Sequence, residues 1–150
     1  MRRGAALLLL LAGCAPTLEA IRPTVPAGTD FFATLAREQR RHAVALGRHG
    51  ATVPEAERFA RKAVDAGSGR ISEPEPATTP ALAGFRNRLL PLLSSPARER
   101  CPVFAALALA RYDAWAERER AWPASEEAGR YRLEAEENLA ALEGPCAAGS

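Results

Sequence analysis

The chain has 150 residues, with 20 Lys and Arg against 18 Asp and Glu, and two His. That length holds one domain with room for a tail, and a net charge of +2 excludes the broad cationic footprint of a nucleic-acid binder. Thirty-three alanines and 18 leucines stand against only seven isoleucines and valines, which argues for helices because strands draw on β-branched side chains.

Arg2 and Arg3 precede an apolar run over residues 5–12. A helix needs about 20 apolar residues to span a bilayer, so this run reads as a signal peptide and not as an anchor. It ends in Leu11-Ala12-Gly13-Cys14. That sequence resembles the lipobox of bacterial lipoproteins, an aliphatic residue, a small one, Gly or Ala, and an obligatory Cys. The resemblance implies that Cys14 takes a diacylglycerol through a thioether, that residues 1–13 are removed, and that the new amine is acylated. The alternative is an ordinary signal peptide that happens to contain a cysteine. Ala15 after the lipidated cysteine, where enterobacterial lipoproteins retained in the inner membrane carry Asp, implies the outer membrane, facing the periplasm. The inner membrane and the cell surface are the alternatives. Loss of Arg2 and Arg3 leaves 18 basic and 18 acidic side chains on 137 residues, so no electrostatic steering toward anionic lipid or nucleic acid is expected.

Cys14 and the Pro-rich segment up to Thr29 form the expected tether, which at ~3.1 Å per residue reaches roughly 45 Å. A helical domain over 30–146 and a tail over 147–150 follow. Asp30 offers an N-cap to a first helix with Phe31, Leu35 and Ala45 on its apolar face, and Arg37, Glu38, Arg40 and Arg41 opposite. That helix should fade between Gly47 and Gly50. Thr52-Val53-Pro54-Glu55 has capping-box spacing for a second helix carrying Ala56, Phe59, Ala60, Ala63 and Val64 and ending at Gly67. Residues 67–79 lack an apolar period and read as a loop. Thr79-Pro80 caps a third helix with Leu82, Phe85, Leu89 and Leu92, which Pro91 bends or ends. Ser95-Pro96 starts a long helix to Ala121, with a kink at Pro102 and a buried stripe of Phe104, Ala108, Tyr112 and Trp115. After the turn Trp122-Pro123-Ala124, Ser125 caps a last helix with Ala128, Tyr131, Ala135, Leu139 and Leu142, stopped by Gly144-Pro145. The expected fold is all-α, a small bundle of four to five helices ending in a long antiparallel hairpin.

Three segments recur in a familiar order: Phe31-Phe32 to Glu38, Glu57-Arg58-Phe59-Ala60-Arg61-Lys62-Ala63, and Ala110-Arg111-Tyr112-Asp113-Ala114-Trp115-Ala116-Glu117 with Trp122 soon after. This order resembles the helical N-terminal region of alphaproteobacterial lipoproteins that carry a C-terminal OmpA-like domain. The resemblance implies an envelope location and a helical fold. The relatives' cysteine between Asp and Trp is Ala114 here, and the chain has no room for the OmpA-like domain. Peptidoglycan binding is therefore not carried over to any residue.

No reaction centre is legible. His42 and His49 lie two helical turns apart with no third ligand, so they read as solvated, and no metal or other cofactor is expected. Glu117-Arg118-Glu119-Arg120 reads as a solvated helix end, and Glu134, Glu136 and Glu137 as water-facing. Trp115 and Trp122 read as core and turn anchors. No hydrolase, phosphate-loop or zinc-protease motif occurs. The expectation is a non-enzymatic lipoprotein, attached to the membrane through Cys14, with a structural role or an envelope protein as partner. The alternatives are a tetratricopeptide-like periplasmic adaptor holding a peptide in a helical groove, and a periplasmic enzyme, which a buried polar cluster with a convergent pocket would favour.

Cys101 and Cys146 should form a disulfide. Export brings both to an oxidising compartment. The two residues also lie equidistant from the turn at Pro123-Ala124, as facing positions of an antiparallel hairpin do. Free buried thiols or an intermolecular bridge are the alternatives.

Overall fold

The computed structural model describes residues 27–48 and 53–148. Their regular structure is entirely helical: α1 (Phe31–Arg48), α2 (Val53–Gly67), α3 (Pro80–Leu93), α4 (Pro96–Arg100), α5 (Pro102–Ala121), α6 (Glu126–Glu143) and α7 (Pro145–Ala148). The signal peptide, Cys14, most of the tether and His49 lie outside the described residues.

Local chemistry sets the helix starts. Thr79 Oγ1 accepts from the Leu82 N–H at 3.2 Å, Ser95 Oγ from the Ala97 N–H at 3.2 Å and Ser125 Oγ from the Ala128 N–H at 3.2 Å. Asp30 Oδ1 does the same for Ala33 at 2.9 Å. Pro91 falls in the last turn of α3, and the helix runs two residues beyond it to Leu93. The long helix expected from Ser95 is instead two. Pro102 disfavours helical backbone at the residue before it, and Cys101 sits at φ −130° and ψ 61°, which separates α4 from α5. The expected tail begins inside α7.

Two helical hairpins make the body. In the first, α1 and α2 close an alanine-rich cluster of Ala43, Leu46, Ala56, Phe59 and Ala60, where small side chains let the helices approach. In the second, α5 and α6 run antiparallel, as the rungs Arg118–Glu127, Arg111–Glu134 and Cys101–Cys146 show. α1 lies against α5 in the same direction. Gln39 meets Asp113 and, one turn on, His42 meets Glu117. α3 covers the second hairpin with Phe85, whose ring stacks on Tyr112 at 5.5 Å and meets Trp115 edge-on at 5.9 Å.

Several stripe assignments shift by a residue or two. Phe104 is 45% exposed, and Ala105, Ala108, Leu109, Tyr112 and Trp115 carry the buried face of α5. Val64 is exposed, and Leu93 replaces Leu92 in the core of α3. Ala45 lies on the outer face of α1 among Arg37, Arg40, Arg41 and Arg48, while Glu38 is buried. Cys101 and Cys146 are disulfide-bonded, with Cα atoms 5.9 Å apart. The bond ties the start of α5 to α7, and Arg100 adds hydrogen bonds to the Cys146 and Ala147 carbonyls at 2.7 and 3.0 Å.

Candidate functional site

The interior between the two hairpins is polar. Asp113 on α5, 1% exposed, accepts from Gln39 Nε2 at 2.7 Å, from Lys62 Nζ at 3.0 Å and from the Glu75 backbone N–H at 2.7 Å. A buried carboxylate needs such partners, because taking a charge out of water is costly unless it is paired and hydrogen-bonded. Burial pushes the Asp113 carboxyl above the ordinary range, against the pull of Lys62 and of the Glu75 N–H.

Glu75 is the second hub. It belongs to the irregular segment between α2 and α3, yet it is 3% exposed. Its carboxylate draws Arg58 Nε at 3.1 Å, Lys62 Nζ at 3.3 Å and Arg120 Nη1 at 3.3 Å. Its carbonyl accepts from the Tyr112 hydroxyl at 2.9 Å, and Lys62 also donates to the Glu73 carbonyl at 2.7 Å. The Pro-rich loop is thus stitched to α2 and α5 through its own backbone.

A third group sits one turn further along α5. Glu117 is fully buried, with His42 Nε2 at 3.3 Å and Arg118 Nε at 3.4 Å. His42 is wedged edge-on between Phe59, at 4.5 Å, and Tyr131, at 5.5 Å. Arg118 is 2% exposed, reaches Glu127 at 3.3 Å and lies over the Trp122 ring. The expectation of a solvated His42 and a solvated 117–120 helix end is therefore corrected for His42, Glu117 and Arg118. Each lies on the helix face turned toward a neighbouring helix. Trp115 is a core anchor, whereas Trp122 is 52% exposed and serves mainly as a platform for Arg118. Glu134 and Glu136 are half-buried in ion pairs with Arg111 and Arg88, and only Glu137 of that trio faces water.

Beside the Glu75 hub opens a cleft of about 700 Å³, bounded by α2, residues 72–77, α3 and Arg120 of α5. Among the described residues that line it none is His or Cys, and the one hydroxyl, Ser72, donates to Asp65 at 2.8 Å. Among the described residues, no group of three or more His, Cys, Asp or Glu is arranged to hold a metal, and no helix is long and apolar enough to cross a membrane.

The two tyrosines give the polar interior a pH signature. Burial pushes the Tyr112 phenol from its ordinary 10 up to about 12, and burial also raises Tyr131. Folding favours the neutral phenol in both. For Tyr112 this stabilising contribution is complete below pH 10 and is lost as pH rises through about 12; for Tyr131 it is lost in the same direction. Ultraviolet titration should therefore show phenolate appearing late and together with loss of helix. Both tyrosines ionising near pH 10 in a chain that keeps its circular dichroism would contradict the packing described.

Comparison of the chain with protein-family models, with curated proteins and with solved structures finds no match. Residues 31–38, 57–63 and 110–117 meet in space through two ion pairs. Lys62 of the second binds Asp113 of the third, and Glu38 of the first is held by Arg111 of the third at 2.8 Å.

Proposed function

We propose that this chain is a lipid-anchored lipoprotein of the cell envelope, held through Cys14 at the periplasmic face of the outer membrane, with a non-enzymatic structural or partner-binding role. The observation that carries the reading is the lipobox Leu11-Ala12-Gly13-Cys14 set directly after a short apolar run. The Cys101–Cys146 disulfide supports it, because structural disulfides persist in oxidising compartments. The residues that carry the resemblance to the helical region of OmpA-like lipoproteins include the buried Lys62, Asp113 and Glu117. The described cleft residues are mostly charged, with a single hydroxyl that is held by Asp65, which suits recognition of a partner better than nucleophilic chemistry.

Fractionation of wild type and Cys14→Ser tests the anchor. Wild type should sediment with outer membrane, and Cys14→Ser should remain an uncleaved or mislocalised precursor. Identical distribution and identical size of the two would overturn the reading. A second reading, a tetratricopeptide-like adaptor, draws on one observation. The leading helices of the two hairpins, α1 and α5, pack side by side in the same direction. Cross-linking of the membrane-bound protein to a partner through the cleft between α2 and α3 would favour it.

A further inference from the structure

We propose that the cleft beside Glu75 is a binding site for a dianionic phosphate group. Five cationic side chains line it, Arg58, Arg61, Lys62, Arg86 and Arg120, against three acidic ones, Asp65, Glu73 and Glu75. Residues 27–148 carry 17 basic and 17 acidic side chains, so this local excess of two positive charges is a concentration and not a reflection of composition. The acidic groups are already engaged. Glu75 is shared by Arg58, Lys62 and Arg120, and Asp65 is held by Arg70 and Ser72, an arrangement that lowers its pKa. Lys62 is spent on Asp113, Glu75 and the Glu73 carbonyl.

The guanidinium groups are not all spent. Arg58 Nη2 and Arg86 Nε are buried nitrogens with no acceptor among the described residues, and Arg61 stands exposed at the rim. A buried N–H without an acceptor is unfavourable, so turning either guanidinium outward to meet an oxyanion in the cleft gives up no hydrogen bond at that nitrogen. Guanidinium forks match phosphate oxygens bidentately, and a phosphomonoester carries about −1.5 to −2 charge at neutral pH, which balances the excess. A single carboxylate would neutralise only half of it. The cleft, at about 700 Å³, far exceeds one phosphate and leaves room for the moiety that bears it. That moiety is either a lipid, which makes the ligand a membrane headgroup, or a small soluble alcohol, or nothing in the case of free phosphate. The proposal stands independently of whether Cys14 is acylated, so the fractionation experiment leaves it untouched.

Calorimetric titration of the full chain in neutral detergent tests it, with inorganic phosphate, dihexanoyl phosphatidic acid and dihexanoyl phosphatidylcholine as probes. Arg61→Gln and Arg86→Gln remove cleft donors. Arg61 is exposed, and the one ion pair of Arg86 among the described residues is with the 86%-exposed Glu73 at 3.4 Å, so both variants should fold, as thermal melts will report. Arg41→Gln, 70% exposed on α1, is the control for general charge loss. Saturable binding of phosphate or phosphatidic acid, weakened about tenfold or more by each cleft variant and unchanged in Arg41→Gln, is the expected result. Tighter binding of phosphatidic acid than of inorganic phosphate identifies a lipid-borne group, and the reverse order identifies a soluble one. Absence of saturable binding, equal binding of phosphatidylcholine, or cleft variants that behave like Arg41→Gln would overturn the proposal.

Discussion

Lys62→Ala should destabilise the domain by about 3–5 kcal/mol, measured as a shift in urea midpoint at unchanged slope. The size follows from what remains behind. Among the described residues Lys62 is the one cation in direct contact with Asp113, at 3.0 Å, and both side chains are at least nine-tenths buried. Without it the Asp113 carboxylate keeps the Gln39 amide and the Glu75 N–H, neither of which carries a full charge. The loop also loses its tie at the Glu73 carbonyl, and Glu75 loses one of three cations. Replacing the pair together, Lys62→Met with Asp113→Leu, should cost clearly less than Lys62→Ala alone. Removing both charges avoids the unpaired one, although Gln39 and the Glu75 N–H lose an acceptor. A double variant as unstable as the sum of its parts would show that the pair is not coupled.

Loss of the disulfide should have a comparable effect. Cys101 and Cys146 close a loop with a sequence separation of 45, and the chain-entropy model assigns such a loop about 4 kcal/mol. Cys101→Ser with Cys146→Ser should therefore melt well below the oxidised protein, and reducing agent should bring wild type to the same level. The hydrogen bonds from Arg100 to the Cys146 and Ala147 carbonyls are too few to hold α7 in place alone. Alkylation of native, unreduced protein should label neither Cys101 nor Cys146. Equal melting temperatures for the oxidised and double-serine chains would remove the staple from this account.

Helix periodicity and caps made most of the architecture legible in the sequence. Thr79, Ser95 and Ser125 each cap a helix, and the even placement of Cys101 and Cys146 about the Pro123-Ala124 turn foretold their pairing. The polar interior was not read, and the reason is physical. Whether a charged residue is solvated depends on partners supplied by distant elements, and period alone does not encode those partners. Glu75 lies in a loop without apolar pattern, and its burial comes from Arg58, Lys62 and Arg120 on two other helices. A signal was nonetheless present. Gln39 and His42 fall on the same helical face as Leu35 and Leu46, and Asp113 and Glu117 share theirs with Leu109 and Ala116. Polar residues interrupting an apolar stripe on two helices mark a buried network, and here the two helices pack against each other. The break at Cys101 was likewise foreshadowed by Pro102, whose effect is a separation of helices and not a kink.

The intact mass of the protein purified from membranes without reductant tests the central claim most directly. The expected species is a polypeptide that begins at Cys14, carries a diacylglycerol and an N-linked acyl chain, and is two hydrogens short of the fully reduced form because of the Cys101–Cys146 bond. A mature chain beginning at any other residue, or an unacylated Cys14 with both other thiols free, would contradict it.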